Sequence, residues 1–103
     1  MDEEDIILLL AEYKLDNTVP PYSHRNKKRI ERRSMYRWAV DELGVYILSH
    51  VDVDPVDACS MFVEQMYYYR GMHANGRAMC NAAIEVAMDI QDLLMWRKGL
   101  YHE

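Results

Sequence analysis

Two cysteines, four histidines and a pair of closely spaced aspartates are the residues whose types could do chemistry in this chain. A cysteine nucleophile needs a thiolate in a partly exposed, electropositive site beside a histidine. Cys59 and Cys80 each fall on the apolar face of a predicted helix, the wrong setting for a thiolate. His24, His50, His73 and His102 lie near element ends, without metal-ligand spacing to each other or to cysteine, and all four are expected at the surface. Asp52 and Asp54 sit two residues apart, but a calcium loop of the EF-hand type needs a third oxygen ligand, a turn glycine and a distal glutamate. Those are absent from His50–Pro55. No Gly-rich phosphate loop or Ser-centred elbow occurs, and the carboxylates are scattered. The expectation is a protein that is not an enzyme and has no metal or cofactor.

Charge carries the stronger signal. Residues 25–37 hold seven Lys and Arg against Glu31, within a chain of formal net charge −5. Residues 1–24 carry one lysine against six acids, and residues 38–103 four basic side chains against ten acidic ones. A cationic run in an acidic protein can steer a partner, and long cations repeated along one helix can track phosphates. Arg25, Lys27, Lys28, Arg29, Arg32, Arg33 and Arg37 are therefore candidate contacts for a nucleic acid or a partner protein. Trp38 joins them, because its angular position lies nearly opposite the apolar stripe of the same helix. Such a ring is either covered by another element, the first helix being the obvious cover, or left for a partner. The acids at Asp2–Asp5, Asp52, Asp54, Asp57, Asp89 and Asp92 allow the inverse reading, a mimic of nucleic acid that fills a basic cleft.

The elements that must position these residues read as four helices, over about 2–14, 25–49, 55–70 and 77–98. In the first, Asp2–Asp5 favour the positive helix end, and Ile6–Leu10 are apolar nearly all round. That run is expected to be well buried, or to form a dimer seam. Asp16-Asn17 and Pro20-Pro21 are expected to stop it, with Ser23 or Asn26 capping the next helix. In the long second helix, Tyr36, Ala39, Val40, Leu43, Tyr46 and Ile47 share one side. Run backwards, that side passes through Arg32, Arg29, Lys28 and Arg25, which cannot enter a core unpaired. Either the first turns project from the bundle or the helix breaks near Ser34. We expect projection.

Asp54, Pro55 and Asp57 form a start signal for the third helix, with Cys59, Phe62, Val63, Met66 and Tyr69 or Arg70 on its inner face. Tyr67-Tyr68-Tyr69 points three rings in three directions. They would stack bases beside Arg70 or, as we expect, roof the core. Gly71 is expected to end this helix, and Asn75-Gly76 to turn the chain. Cys80, Ala83, Ile84, Ala87, Ile90 or Gln91 and Leu94 line the fourth helix, broadened by Met79, Val86 and Leu93. Arg97, Lys98 and Gly99 are its stop signal. Helices three and four should pair as an antiparallel hairpin in which facing residue numbers sum to roughly 147. The two cysteines then sit about 10 Å apart, too far for a disulfide.

The whole is expected to be one small all-α domain of four helices spanning 1–103, with a long central helix. Met1 is followed by four acids, the wrong charge for a secretory leader, and the apolar run is too short to span a bilayer. A cytoplasmic protein with no membrane contact is the expectation. Eight methionines and eight tyrosines suit either an adaptable core or an interface. In size, in Met and Tyr richness and in lacking catalytic groups, the chain resembles small helical accessory proteins of phages and mobile elements, anti-CRISPR proteins among them. That resemblance implies inhibition of a nucleic-acid enzyme by occupying its nucleic-acid or partner surface. The functional expectation is thus a non-enzymatic interaction protein that regulates or inhibits a protein or nucleoprotein partner. The alternatives are direct DNA or RNA binding through residues 25–37, and the acidic mimic. Homodimer formation is compatible with each.

Overall fold

The computed structural model describes residues 3–18, 27–97 and 99, and at 15–18, 27–32 and 74 the course of the backbone. Four helices form one compact all-α domain: α1 (Glu3–Thr18), α2 (Lys27–Ser49), α3 (Pro55–Met72) and α4 (Arg77–Arg97). A single 3-10 turn over Ala74–Gly76 precedes α4. The described residues contain no strand.

The starts and stops follow local chemistry. Asp54 caps α3, its Oδ1 accepting the Val56 N–H at 2.9 Å, with Pro55 in the first turn. At the end of α4, Gly99 adopts φ 70°, and its N–H donates to the Trp96 carbonyl at 3.0 Å. A side chain there would strain the backbone, which is why glycine ends this helix.

Two expected stops are overturned. α1 runs through Asp16 and Asn17 to Thr18. Asp and Asn lower helix propensity by only a fraction of a kcal/mol, about 0.7 at most, too little to end a helix. Gly71 likewise stays inside α3, which stops at His73 in extended conformation, its N–H bonded to the Tyr69 carbonyl at 3.0 Å. The N-cap and turn expected of Pro20-Pro21, Ser23 and Asn26 lie outside the described residues.

α2 is one uninterrupted helix of 23 residues, so there is no break at Ser34. Its core side is the one the spacing predicts: Ala39, Val40, Leu43 and Ile47 are buried, with Tyr36 and Tyr46 packed half-buried beside them. α3 contributes Ala58, Cys59, Phe62 and Met66, and α4 contributes Ala83, Ala87, Ile90 and Leu94 among others. Buried Ala82, Ala83 and Ala87 let neighbouring backbones come close. Val86 is buried too, but Met79 and Leu93 are exposed, so the core side of α4 is narrower than expected.

α3 and α4 pair antiparallel. Gln91 Nε2 donates to the Val56 carbonyl at 2.8 Å and to Ser60 Oγ at 2.6 Å, and Arg70 donates to Asn81 Oδ1 at 2.8 Å. These pairs place the register at or one turn beyond the expected one. Both cysteines are free and buried.

α1 packs mainly on α2 and is tied to α4 by polar bonds. Tyr13 donates to Asp89 Oδ2 at 2.8 Å, and Arg97 pairs with Glu12 at 3.4 Å. Tyr36 of α2 donates to Glu85 Oε2 at 2.5 Å, one turn along the same helix. Burial, then the Asp89 carboxylate, raise the Tyr13 hydroxyl well above its ordinary pKa. No buried side-chain polar atom among the described residues lacks a partner.

Gly44 lies in the middle of α2, where a Cβ would meet only Leu10 Cδ1, at 3.3 Å. That methyl lines an open groove and can yield by a few tenths of an ångström. Gly44→Ala should therefore raise stability by about 0.5–1 kcal/mol through the helix propensity it restores. Thermal denaturation checks this, and a lowered Tm would show that Leu10 cannot move.

Candidate interaction surfaces

The cationic segment is the first surface. Lys27, Lys28, Arg29 and Arg32 belong to the first turns of α2, the helix whose second half is built into the core. Their side chains, and Arg25 entirely, lie outside the described residues. So does the question of whether these turns project. Arg33 is half-buried and Arg37 exposed on the following turn.

Trp38 is half-buried and packs against the hydrophobic core. Of the two settings open to it, the packed one is found. The buried part of the indole contributes to stability.

The second surface was half visible in the sequence. α1 buries Ile6, Leu9, Leu10 and Tyr13, but Ile7 and Leu8 are 46% and 58% exposed. Of the two expectations for this run, full burial within the fold is not met: α1 rests chiefly on one neighbour, so one of its sides stays open. A groove of about 480 Å³ runs between α1 and α2, floored by Leu10, Val40 and Gly44 and walled by Ile7, Ala11, Val45 and Leu48. At one end Lys14 Nζ meets Asp41 Oδ1 at 2.7 Å. At the other, a depression of about 250 Å³ continues past Leu48 to Glu3, His50, Val51 and Pro55. Val45 is 65% and Val51 76% exposed. Exposed apolar side chains gathered around one groove mark an interaction site more often than isolated ones do.

A third cluster lies on the far hairpin. Met66 is the last buried residue of α3, and Tyr67, Tyr68 and Tyr69 are all exposed. They do not roof the core. The Arg70 guanidinium sits 4.6 Å from the Tyr67 ring centre, and the rings of Tyr68 and Tyr69 meet edge to face at 6.0 Å. Met72 and, on α4, Met88 and Trp96 are also exposed. Trp96 escaped the sequence reading, although its position gave it away: it stands about 200° round the helix from Leu94.

His50 is not simply exposed as expected. Its ring stacks on Tyr46 at 4.1 Å, and Nδ1–H donates to the Tyr46 carbonyl at 2.7 Å. Spacing of i and i+4 on a helix already allows that contact. His73 is exposed at the end of α3, and His24 and His102 lie outside the described residues. Burial, with a smaller contribution from Asp54, pushes the Cys59 thiol up to about 12, so it carries no thiolate near neutrality. Among the described residues, no three His, Cys, Asp or Glu side chains gather as metal ligands do. Several acids of the mimic reading are engaged within the fold: Asp54 caps α3, and Asp89 accepts from Tyr13. No described helix is long and apolar enough to cross a membrane.

Comparison of the chain with protein-family models, curated proteins and solved structures finds no match.

Proposed function

We propose that this is a non-enzymatic interaction protein that binds and inhibits or regulates a nucleoprotein partner, with the cationic first half of α2 leading the contact. One observation carries the reading: α2 is a single helix from Lys27 to Ser49. The segment dense in Lys and Arg thereby continues a helix anchored by Ala39, Val40, Leu43 and Ile47. A backbone already helical needs no further ordering when its cations meet phosphates, which removes one part of the entropic cost of binding. The acidic remainder of the chain opposes bare nucleic acid over a wide area. It suits a partner that offers phosphates at one point and protein elsewhere.

Direct DNA or RNA binding is the second reading, supported by the same uninterrupted helix. The two part on whether nucleic acid alone gives tight binding.

The test compares wild type with Arg29→Ala/Arg32→Ala/Arg33→Ala. Binding to generic duplex and single-stranded nucleic acid is expected at low salt, to weaken steeply as salt rises and to vanish in the variant. Thermal denaturation of the variant serves as the control for folding.

A further inference from the structure

The open side of α1 has a spacing that reads the same in both directions. Glu4, Ile7, Ala11 and Lys14 follow one another at intervals of three, four and three residues along one side of the helix; Ile7, Ala11 and Lys14 line the groove, and Glu4 is exposed one turn before Ile7. Two copies of such a helix laid antiparallel, crossing near residue 9, bring Glu4 of each chain opposite Lys14 of the other. Ile7 of each then meets Ala11 of the other, a large side chain against a small one. The two-fold axis makes each contact twice.

From this self-complementarity we infer that the α1–α2 groove is occupied by α1 of a second copy, giving a two-fold symmetric homodimer. The proposal goes beyond the nucleoprotein reading and uses none of the cationic residues of α2. Apolar matter and charge both fit this occupant. Ile7 is exposed on the groove side of α1, while Val45 and Leu48 form the far wall of the groove that would receive it from the second copy. Near-antiparallel helices that interdigitate three- and four-residue spacings pack at a shallow angle, as in helix bundles. α1 and α2 of both chains then make a four-helix interface with the Ile7–Ala11 contacts at its centre. Lys14 stands at the groove end on its bond to Asp41, and an ammonium has three N–H donors. It bridges Asp41 of its own chain to the partner's carboxylate. The acidic first turn of α1 is thus brought to the one lysine of that helix, and any parallel arrangement would set like charges together.

Analytical ultracentrifugation of the full chain over a concentration series tests this. The mass should rise from 12.2 kDa towards twice that value. Ile7→Lys should hold the chain monomeric with an unchanged far-ultraviolet helical spectrum. Glu4→Lys and Lys14→Glu should each weaken the homodimer by about tenfold, since two attractive pairs become repulsive. An equimolar mixture of those two variants should recover dimer. One chain then presents lysine at both positions and the other glutamate at both, so opposite charges meet again at each pair across the interface. Glu4→Lys leaves the Lys14–Asp41 bond intact and so guards against a folding defect in Lys14→Glu. A wild-type chain that stays monomeric at every concentration would overturn the proposal. So would a dimer indifferent to Ile7→Lys, or a mixture no more associated than either variant alone.

Discussion

Phe62→Ala is expected to cost about 3–5 kcal/mol, the range for emptying an aromatic site in a close-packed core. Phe62 is the largest fully buried side chain among the described residues and lies on the inner face of α3. The Tyr46 ring meets it edge-on, centroids 5.4 Å apart, and the Tyr46 ring in turn stacks on His50. Removal of the phenyl group therefore leaves a cavity where α2 and α3 pack, and withdraws the partner that fixes the Tyr46 ring. Small domains have only about 5–15 kcal/mol of net stability, so this single change takes a large part of it. The Tm should fall by at least about 12 °C. A fall of only two or three degrees would mean that neighbouring side chains collapse into the site, and that the core is far less rigid than the packing of Phe62 implies.

The second large effect is expected at alkaline pH. Cys59 has no solvent exposure, and its thiol is pushed up to about 12 from an ordinary value of 9.0, mainly by burial. In the unfolded chain the thiol loses its proton as pH passes 9, whereas the folded chain keeps it until about 12. Above pH 9 the folded state thus holds more protons than the unfolded state, and stability must fall as pH rises. Between pH 8 and 11 this one group removes about 3 kcal/mol. Tyr13 acts in the same direction, because its hydroxyl is buried and bonded to Asp89. Urea denaturation across that pH range is the measurement, with Cys59→Ala as the comparison. The variant should be less stable at pH 8 but lose clearly less than wild type on going to pH 11. Parallel losses in the two proteins would contradict the assignment to Cys59.

Much of the fold was legible because its determinants are local. The three- and four-residue spacing from Tyr36 to Ile47 marked the core side of α2, and Asp54-Pro55 marked the start of α3. Gly99 marked the end of α4. Each depends on a few neighbouring residues and on helix geometry alone. What escaped depends on how helices meet. Five consecutive apolar residues in α1 carry no phase, so only the packing of α1 against α2 decides that Leu9 and Leu10 are buried while Ile7 and Leu8 are not. Met66 is the last buried residue of α3, and spacing alone did not show that Tyr67, Tyr68 and Tyr69 beyond it are all exposed. Trp38 shows the limit from the other side: its angle on α2 was right, yet the same angle suits a packed ring or a free one. The candidate site was legible as a run of charge in the sequence. That α2 runs on without interruption from that run into the core is a statement only the fold can make.

We propose that the cationic first half of α2 leads this protein to phosphates. The most direct measurement is a salt titration of binding to generic duplex and single-stranded nucleic acid, for wild type and the Arg29/Arg32/Arg33 triple-alanine variant. For duplex DNA the slope of log affinity against log salt is about −0.9 for each phosphate neutralised. Wild type should bind weakly at low salt with a slope of several such units, and the variant should lose that binding with its far-ultraviolet helical spectrum unchanged. Absence of binding at the lowest salt, or binding that neither salt nor the three substitutions reduce, would contradict it.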